Sequence, residues 1–225
     1  MLELLDNIVW HSLAGSHRMH SAGTDRTRRY AAGFSPIIGF RDVESPAFSD
    51  LDSHCSSGEE FYTDAWSGAI PTGWELIKES TMFKMVWEGG APADSANGIM
   101  QLGPEHADQA LALANLTRPG PFGIRTIELG DYFGYFDGDR LIAMAGERFQ
   151  AGSLREISGV CTHPDYQGRG LARKLMNLLI QRHMKRGETS CLHVMRDNVI
   201  AHNLYERMGF RDYKESVVRV VEKIG

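Results

Sequence analysis

Between Val160 and Ala172 the chain reads V-C-T-H-P-D-Y-Q-G-R-G-L-A, and no other stretch limits the fold as tightly. Ile157 to Cys161 is a short apolar run, and Pro164, which has no N–H to give to a ladder, ends it as a strand. Gly168 and Gly170 then frame a tight turn, after which Leu171, Leu175, Leu178 and Leu179 recur at the spacing of one helix face. Lys185 and Arg186 fall in the last turn of that helix, and Gly187 supplies a left-handed cap. A turn without bulky side chains at a helix start leaves several amides pointing at one place, where the helix dipole adds partial positive charge. Hydrogen bonds to a charged group contribute roughly 1.5–3 kcal/mol each. The amides from Gly168 to Ala172 therefore suffice for a pyrophosphate, with Arg169 adding charge at the rim. A plain strand-to-helix turn has the same pattern at this point. Two other phosphate motifs do not fit. A nucleotide P-loop needs Gly-Lys-Ser/Thr where Gly170 is followed by Leu171 and Ala172, and a dinucleotide fingerprint needs a small residue where Arg173 stands.

Downstream, Thr189 to Met195 forms a second strand, Asn198 stands at a helix cap, and Ile200, Leu204 and Met208 recur every four residues before Gly209. Tyr205 lies on the flank of that apolar face. The set Gln167, Gly170 and Ala172 matches the coenzyme-A loop of the GNAT superfamily of acyl-CoA-dependent N-acyltransferases: Gln or Arg, two residues, Gly, one residue, Gly or Ala. The later N-V-I-A-H-N-L-Y-E-R-M-G-F resembles that superfamily's second signature, an Asn after the fifth strand followed by a helix carrying a Tyr. The resemblance spans residues 96–225 and leaves 1–95 unmatched.

That resemblance implies an α+β fold, a mixed twisted sheet flanked by helices, with acetyl-CoA as acyl donor. It also implies direct attack on the thioester by a primary amine of a small molecule or peptide. On it, the backbone of Val160, Cys161 and Thr162 would pair with the pantetheine arm. Gln167, Gly168, Arg169, Gly170, Leu171 and Ala172 would hold the pyrophosphate. Asn198 would hydrogen-bond the arm, Tyr205 would protonate the departing thiolate, and Glu156 would act as general base. The two central strands must splay to admit the arm, and Gly159 makes the necessary bulge cheap. Each residue has a plainer reading: Asn198 as a helix cap, Tyr205 as a packing ring, Glu156 as a surface partner of Arg155 or Arg148. His163 and Glu147 are lesser candidates for the base. A non-catalytic acyl-CoA-binding module is the alternative function, and it would need neither Tyr205 nor Glu156.

With 24 basic against 29 acidic residues, no broad basic face for nucleic acid is expected. No stretch approaches the ~20 apolar residues of a membrane span. The opening M-L-E-L-L-D-N-I-V-W has no basic leader, and Cys55, Cys161 and Cys191 lack both metal-ligand spacing and an even count, so a reducing, cytoplasmic setting without a metal is expected. Cys161 and Cys191 read as neighbours in the core, and His183, His193 and His202 as residues without a role. A monomer or a homodimer would serve.

Glu88 to Asn97 reads as a linker, which divides the chain into a smaller N-terminal α+β subdomain, 1–95, and a catalytic domain, 96–225. The first part offers a helix over Leu2 to Leu13, strands over Glu59 to Trp66 and Trp74 to Trp87, and a His- and Arg-rich solvated loop over Ser12 to Arg29. It is expected to dock on the catalytic half, with a reduced copy of the same fold as one form, and to cover or extend the edge left by the family's first strand; a dimerisation or purely stabilising arm is the alternative. In the second part, short strands surround a helix near Ala107 and a Pro-Gly loop over 117–123. Arg118 to Phe122 would form an acceptor pocket at the junction, with the arginine placed for a carboxylate.

Overall fold

The structure, a computed structural model, describes residues 2–93 and 97–224. The chain opens with a 3-10 turn at Leu2–Leu5 and helix α1, Ile8–Ala14. The expected single helix over Leu2 to Leu13 is thus broken at Asn7, whose side chain donates to Phe40 O. Strands β1 (Ser21–Gly23), β2 (Thr27–Tyr30), β3 (Ile37–Phe40), β4 (Glu60–Asp64) and β5 (Trp74–Trp87) follow. After β6 (Met100–Gln101) and α2 (Ala107–Thr117) come β7 (Tyr132–Asp137), β8 (Arg140–Ala151) and β9 (Leu154–Thr162). The chain closes with α3 (Leu171–Lys185), β10 (Thr189–Met195), α4 (Val199–Met208) and β11 (Phe210–Lys223). These strands form one sheet in the order β1-β2-β3-β4-β11-β5-β10-β9-β8-β7-β6.

The alternation of side chains along the strands sorts the core into two layers. Helices α3 and α4 cover one face, where Leu175, Leu179 and Tyr205 pack on Ile157, Leu192 and Phe210. Helices α1 and α2 cover the other, with Ile8, Val9 and Leu13 against Phe149, Leu154 and Cys191, and Ala110 and Leu113 against Tyr132 and Met144. A separate aromatic cluster, Phe40, Phe48, Phe61, Trp66 and Trp74, fills the space beside β3 and β4.

Strand β5 lies between β10 and β11, antiparallel to both, and pairs with β11 from Phe210↔Trp87 to Lys223↔Trp74. Residues on both sides of the expected linker therefore build the same sheet; 94–96, within that linker, lie outside the described residues. The family's first strand, β6, remains the sheet's outer edge. The N-terminal strands add at the opposite edge, so the expectation that they cover β6 is corrected. Two residues expose too few unpaired backbone groups to require a cover.

The solvated loop expected over Ser12 to Arg29 is also corrected. His17, Arg28 and Arg29 are buried. His17 bonds to the Tyr30 hydroxyl at 2.8 Å, and Arg28 donates to Ser21 Oγ and Thr24 O. Arg29 donates to Tyr30 O, His54 O and Glu59 and lies over the Phe61 ring. Cationic side chains can be buried when every donor finds an acceptor, and linear sequence does not show where the acceptors are.

Candidate active site

Two adjacent parallel strands part here. β9 and β10 pair at Thr189↔Leu154, Ser190↔Arg155 and Cys191↔Glu156, and no further pairing joins them although both strands continue. On the other side of β9, the register with β8 shifts between Met144↔Cys161 and Gly146↔Ser158, so one extra β9 residue is accommodated there. Gly159, at φ +62, occupies that bulge. A Cβ at this position would sit 3.1 Å from the Tyr132 ring as well as in a conformation that L side chains rarely adopt. The bulge expected at Gly159 is present where the strands separate.

At the end of β9 the chain turns through Pro164–Tyr166 into the glycine turn. Gly168 (φ +77) and Gly170 (φ +73) are both left-handed, and an added Cβ at either would meet nothing within 4 Å. Gly170 caps α3, whose first turn holds no acidic side chain. The first amides of a helix have no partner within it, so those at the start of α3 face open space together. Arg169 stacks on the Tyr166 ring at 4.8 Å and stands at the rim. This cradle fits a diphosphate-bearing ligand such as coenzyme A.

A cavity of about 580 Å³ runs through the opening between the strands. Val160, Cys161, Thr162, Gln167, Ala172, Asn198 and Tyr205 line it, while Gly168, Arg169, Gly170 and Leu171 form the adjoining turn. Asn198 caps α4 by accepting from Ala201 N at 3.2 Å through Oδ1. Tyr205 is 9% exposed, and burial, with the Cys161 thiol nearby, pushes its phenol up to about 12. It therefore keeps its proton throughout the neutral range and can donate a hydrogen bond. On the α1 and α2 face the cavity is walled by Val9, Ile37, Tyr62 and Met82 from the N-terminal half and by Thr117 to Pro121 from the Pro-Gly loop. That loop is pinned by Ser35, which donates to Pro121 O at 2.9 Å, and by Arg125 N, which donates to Gly33 O at 2.7 Å. Arg118, left-handed at φ +50, is exposed on the cavity wall and has no ion-pair partner among the described residues.

The environment of Glu156 does not suit the general base expected of it. It is 1% exposed, and Arg148 donates to both carboxylate oxygens, at 2.9 and 2.7 Å. A bulge in β8 sets Arg148 and Phe149 together opposite Glu156, and Phe149 N adds a third contact at 3.3 Å. His193 Nδ1 lies 2.6 Å from Oε1. Burial would raise the carboxyl pKa. The Arg148 guanidinium and the hydrogen bonds from Arg148 and the His193 ring outweigh it and hold the group down at about 2. Such a carboxylate takes up almost no proton at neutral pH. The lesser candidates are occupied too. His163 accepts from Asp165 N and meets Arg140, and Glu147 is bound by His183 and Arg186. Ser190, His183 and Glu147 lie in hydrogen-bonded series, but Ser190 and His183 are 2% and 0% exposed and no substrate reaches them.

Cys161 and Cys191 are buried in different clusters and are not neighbours, which corrects that expectation. Burial raises both thiols, Cys161 to about 11, so neither offers a thiolate. The residue that sequence reasoning passed over is His193. It shares a sheet face with Cys191, the partner of Glu156, and this alternation along β10 was the available signal.

The comparisons with known proteins agree with this geometry. Residues 108–210 match the acetyltransferase (GNAT) family. A crystal structure from Novosphingobium aromaticivorans DSM 12444, described as a GNAT-family acetyltransferase, is 31% identical, with a TM-score of 0.87 over 98% of this chain and 99% of that one. A GCN5-related N-acetyltransferase from Kribbella flavida has a TM-score of 0.61 at 14% identity, over 98% of this chain and 96% of that one. A GCN5-related N-acetyltransferase-like protein from Streptococcus suis 89/1591 has a TM-score of 0.60 at 14% identity, over 95% and 92%. These last two share the fold. Comparison with curated proteins finds no match. The class defined by the splayed sheet and the amide cradle is that of acyl-group transferases. The chain belongs to the GNAT acetyltransferase family.

Proposed function

We propose that the protein transfers an acetyl group from acetyl-CoA to a primary amine of a small molecule or peptide by direct attack. The observation that carries this reading is the continuity of the open amide turn at Gly168–Gly170 with the parting of β9 and β10 at Gly159. The turn suits a diphosphate. The free edges of Val160 to Thr162 suit the amides of a pantetheine arm, as an added strand would. The arm ends between the two faces of the sheet, with Tyr205 on one side and the chamber walled by the Pro-Gly loop on the other.

An alkyl amine with pKa near 10.4 lies about 3.4 units above neutral pH, so presenting its free base costs roughly 4–5 kcal/mol. A proton acceptor on the chamber side reduces that cost. Tyr205, held neutral, stabilises the departing sulfur by donating its hydroxyl hydrogen. Arg118 is placed to hold an anionic group on the acceptor, because among the described residues the one carboxylate on the chamber wall, Asp64, is already bound to Lys84. The three free cysteines, Cys55, Cys161 and Cys191, suit a reducing compartment such as the cytoplasm.

Gly170→Asp places a carboxylate where the diphosphate would lie, in space now empty. The expected result is at least a tenfold loss of CoA affinity by calorimetry, about 1.4 kcal/mol, with the far-UV dichroism unchanged. A folded variant that binds CoA as the wild type does would refute the assignment of the turn.

A further inference from the structure

Among the histidines near the cavity, one has a nitrogen to spare. His193, on β10, contacts the Glu156 carboxylate through Nδ1 at 2.6 Å. Its other ring nitrogen, Nε2, has no hydrogen-bond partner among the described residues. The side chain is 7% exposed, and the residue lines the cavity on the α1 and α2 face, beside Arg148, Phe149 and Ser158. Phe149 meets the ring edge-on at 6.1 Å between centroids and fixes its plane. A buried polar atom without a partner is costly, of the order of 1–3 kcal/mol, and water or a ligand in the cavity would complete this one. Glu156 as an acceptor leaves one tautomer, with hydrogen on Nδ1 and a lone pair on Nε2.

We propose that His193 is the general base of the transfer and that Glu156 is the positioning residue that fixes its tautomer and stabilises its protonated form. This rests on the reading of the protein as an amine acetyltransferase. His193 Nε2 takes one proton from the acceptor ammonium, and the freed amine nitrogen bonds to the thioester carbonyl carbon. The C–S bond breaks with its electron pair on sulfur, and the sulfur takes the Tyr205 proton. The nitrogen sheds its second proton, Tyr205 recovers one and His193 returns its own to solvent, so ammonium and thioester give amide, thiol and one proton. Arg148 acts at one further remove. By holding both oxygens of Glu156 it keeps the carboxylate ionised beside the ring.

The charged and titratable groups around His193 leave this assignment intact. From β5, Lys84 stands opposite His193 in register and is tied to Asp64 of β4. From β9 and β8 come Glu156 and Arg148, from the N-terminal segments the bonded pair His17 and Tyr30, and from β7 Tyr132, all near Glu156. Burial pushes the His17 ring down to about 4, so it is neutral in the working range and does not compete for the carboxylate.

Two measurements decide the matter. The first is the long-range 1H–15N spectrum of the wild-type protein labelled in histidine, with His193 assigned by its loss in His193→Gln. A hydrogen on Nδ1 and a bare Nε2 at pH 8 are expected; the opposite tautomer overturns the proposal and needs no acceptor to do so. The second is thiol release from acetyl-CoA with a panel of glycine, β-alanine, 4-aminobutyrate, ethanolamine and butylamine. With the amine that serves, His193→Gln and His193→Asn should lose about a hundredfold or more in kcat, the lower end of what a general base contributes. Their CoA affinity by calorimetry should stay within about threefold. The deficit should narrow as pH rises through the acceptor's own ionisation, because free amine then needs no base. A purely structural histidine would lower kcat equally at every pH. Wild-type transfer with unchanged kcat in the variants would overturn the base and leave the acetyltransferase reading standing. CoA binding without transfer to any amine, with the Nδ1–H tautomer absent, would overturn the base, while transfer failure alone would bear on the acetyltransferase reading.

Discussion

Replacing Lys84 by Met tests how the two halves of the chain are locked together. Lys84 is 0% exposed, on β5 at the middle of the sheet, and its ammonium donates to Asp64 at 2.6 Å, Leu5 O at 3.0 Å and Asp6 O at 2.9 Å. Asp64 also accepts from the Ser216 hydroxyl on β11, at 2.6 Å. One side chain thus ties β5 to β4, to β11 through Asp64, and to the start of the chain. Methionine fills nearly the same volume without charge, so the loss is electrostatic. Breaking a buried pair costs 3–5 kcal/mol because a charge is left uncompensated. Asp64 also borders the cavity, where water can reach it, which puts the expected cost near the lower end, about 3 kcal/mol. Asp64→Asn retains an acceptor for the ammonium and should cost only about 1–2 kcal/mol. In the double variant neither charge is stranded, so the two losses should fall short of additivity by about 2 kcal/mol. Urea unfolding followed by tryptophan fluorescence measures all four proteins. A cost below about 1 kcal/mol for Lys84→Met, or losses that simply add, would show that the pair is solvated and that the lock is made elsewhere.

Tyr205→Phe keeps the buried ring and removes the hydroxyl hydrogen, so kcat should fall about tenfold or more while CoA affinity by calorimetry holds; equal turnover from pH 6 to 9 would return Tyr205 to a packing role. A fragment of residues 96–225 lacks β5, leaving β10 and β11 without the strand that joins them. It is expected to be insoluble or to melt without a cooperative transition, and a soluble fragment that binds CoA would establish residue 95 as a true domain boundary.

The C-terminal part was legible because its signals are local. Pro164, Gly168, Gly170, Asn198 and Gly209 each act on their immediate neighbours, and each stands at the strand end, turn or cap that its type dictates. The Asp137–Arg140 hairpin likewise closes through Gly138 at φ +57. What escaped is long-range. Trp74–Trp87 was readable as a strand, but its place between β10 and β11 depends on partners more than a hundred residues downstream. Arg29 looked like a solvated cation because its acceptors, His54 O and Glu59, lie beyond the reach of sequence periodicity. Glu156 was found for its position at the head of β9. Its chemistry was misjudged because Arg148 and His193 meet it only across three adjacent strands.

The slot occupied by β5 also governs the order in which the protein can be completed. On the ribosome β5 emerges with both of its edges bare, and the strands that will flank it, β10 and β11, lie more than a hundred residues further along the chain. Domains often fold as they leave the exit tunnel, N-terminal part first. Here the early half cannot close without those later strands, and closing so long a loop is slow. Until Phe210–Lys223 arrives, a strand of fourteen residues, apolar at Met82, Phe83, Met85, Val86 and Trp87, remains open to any other strand in the cell. Holding that strand unpaired through synthesis is work for a chaperone, and an early stop codon anywhere before β11 yields a sticky chain rather than a smaller enzyme.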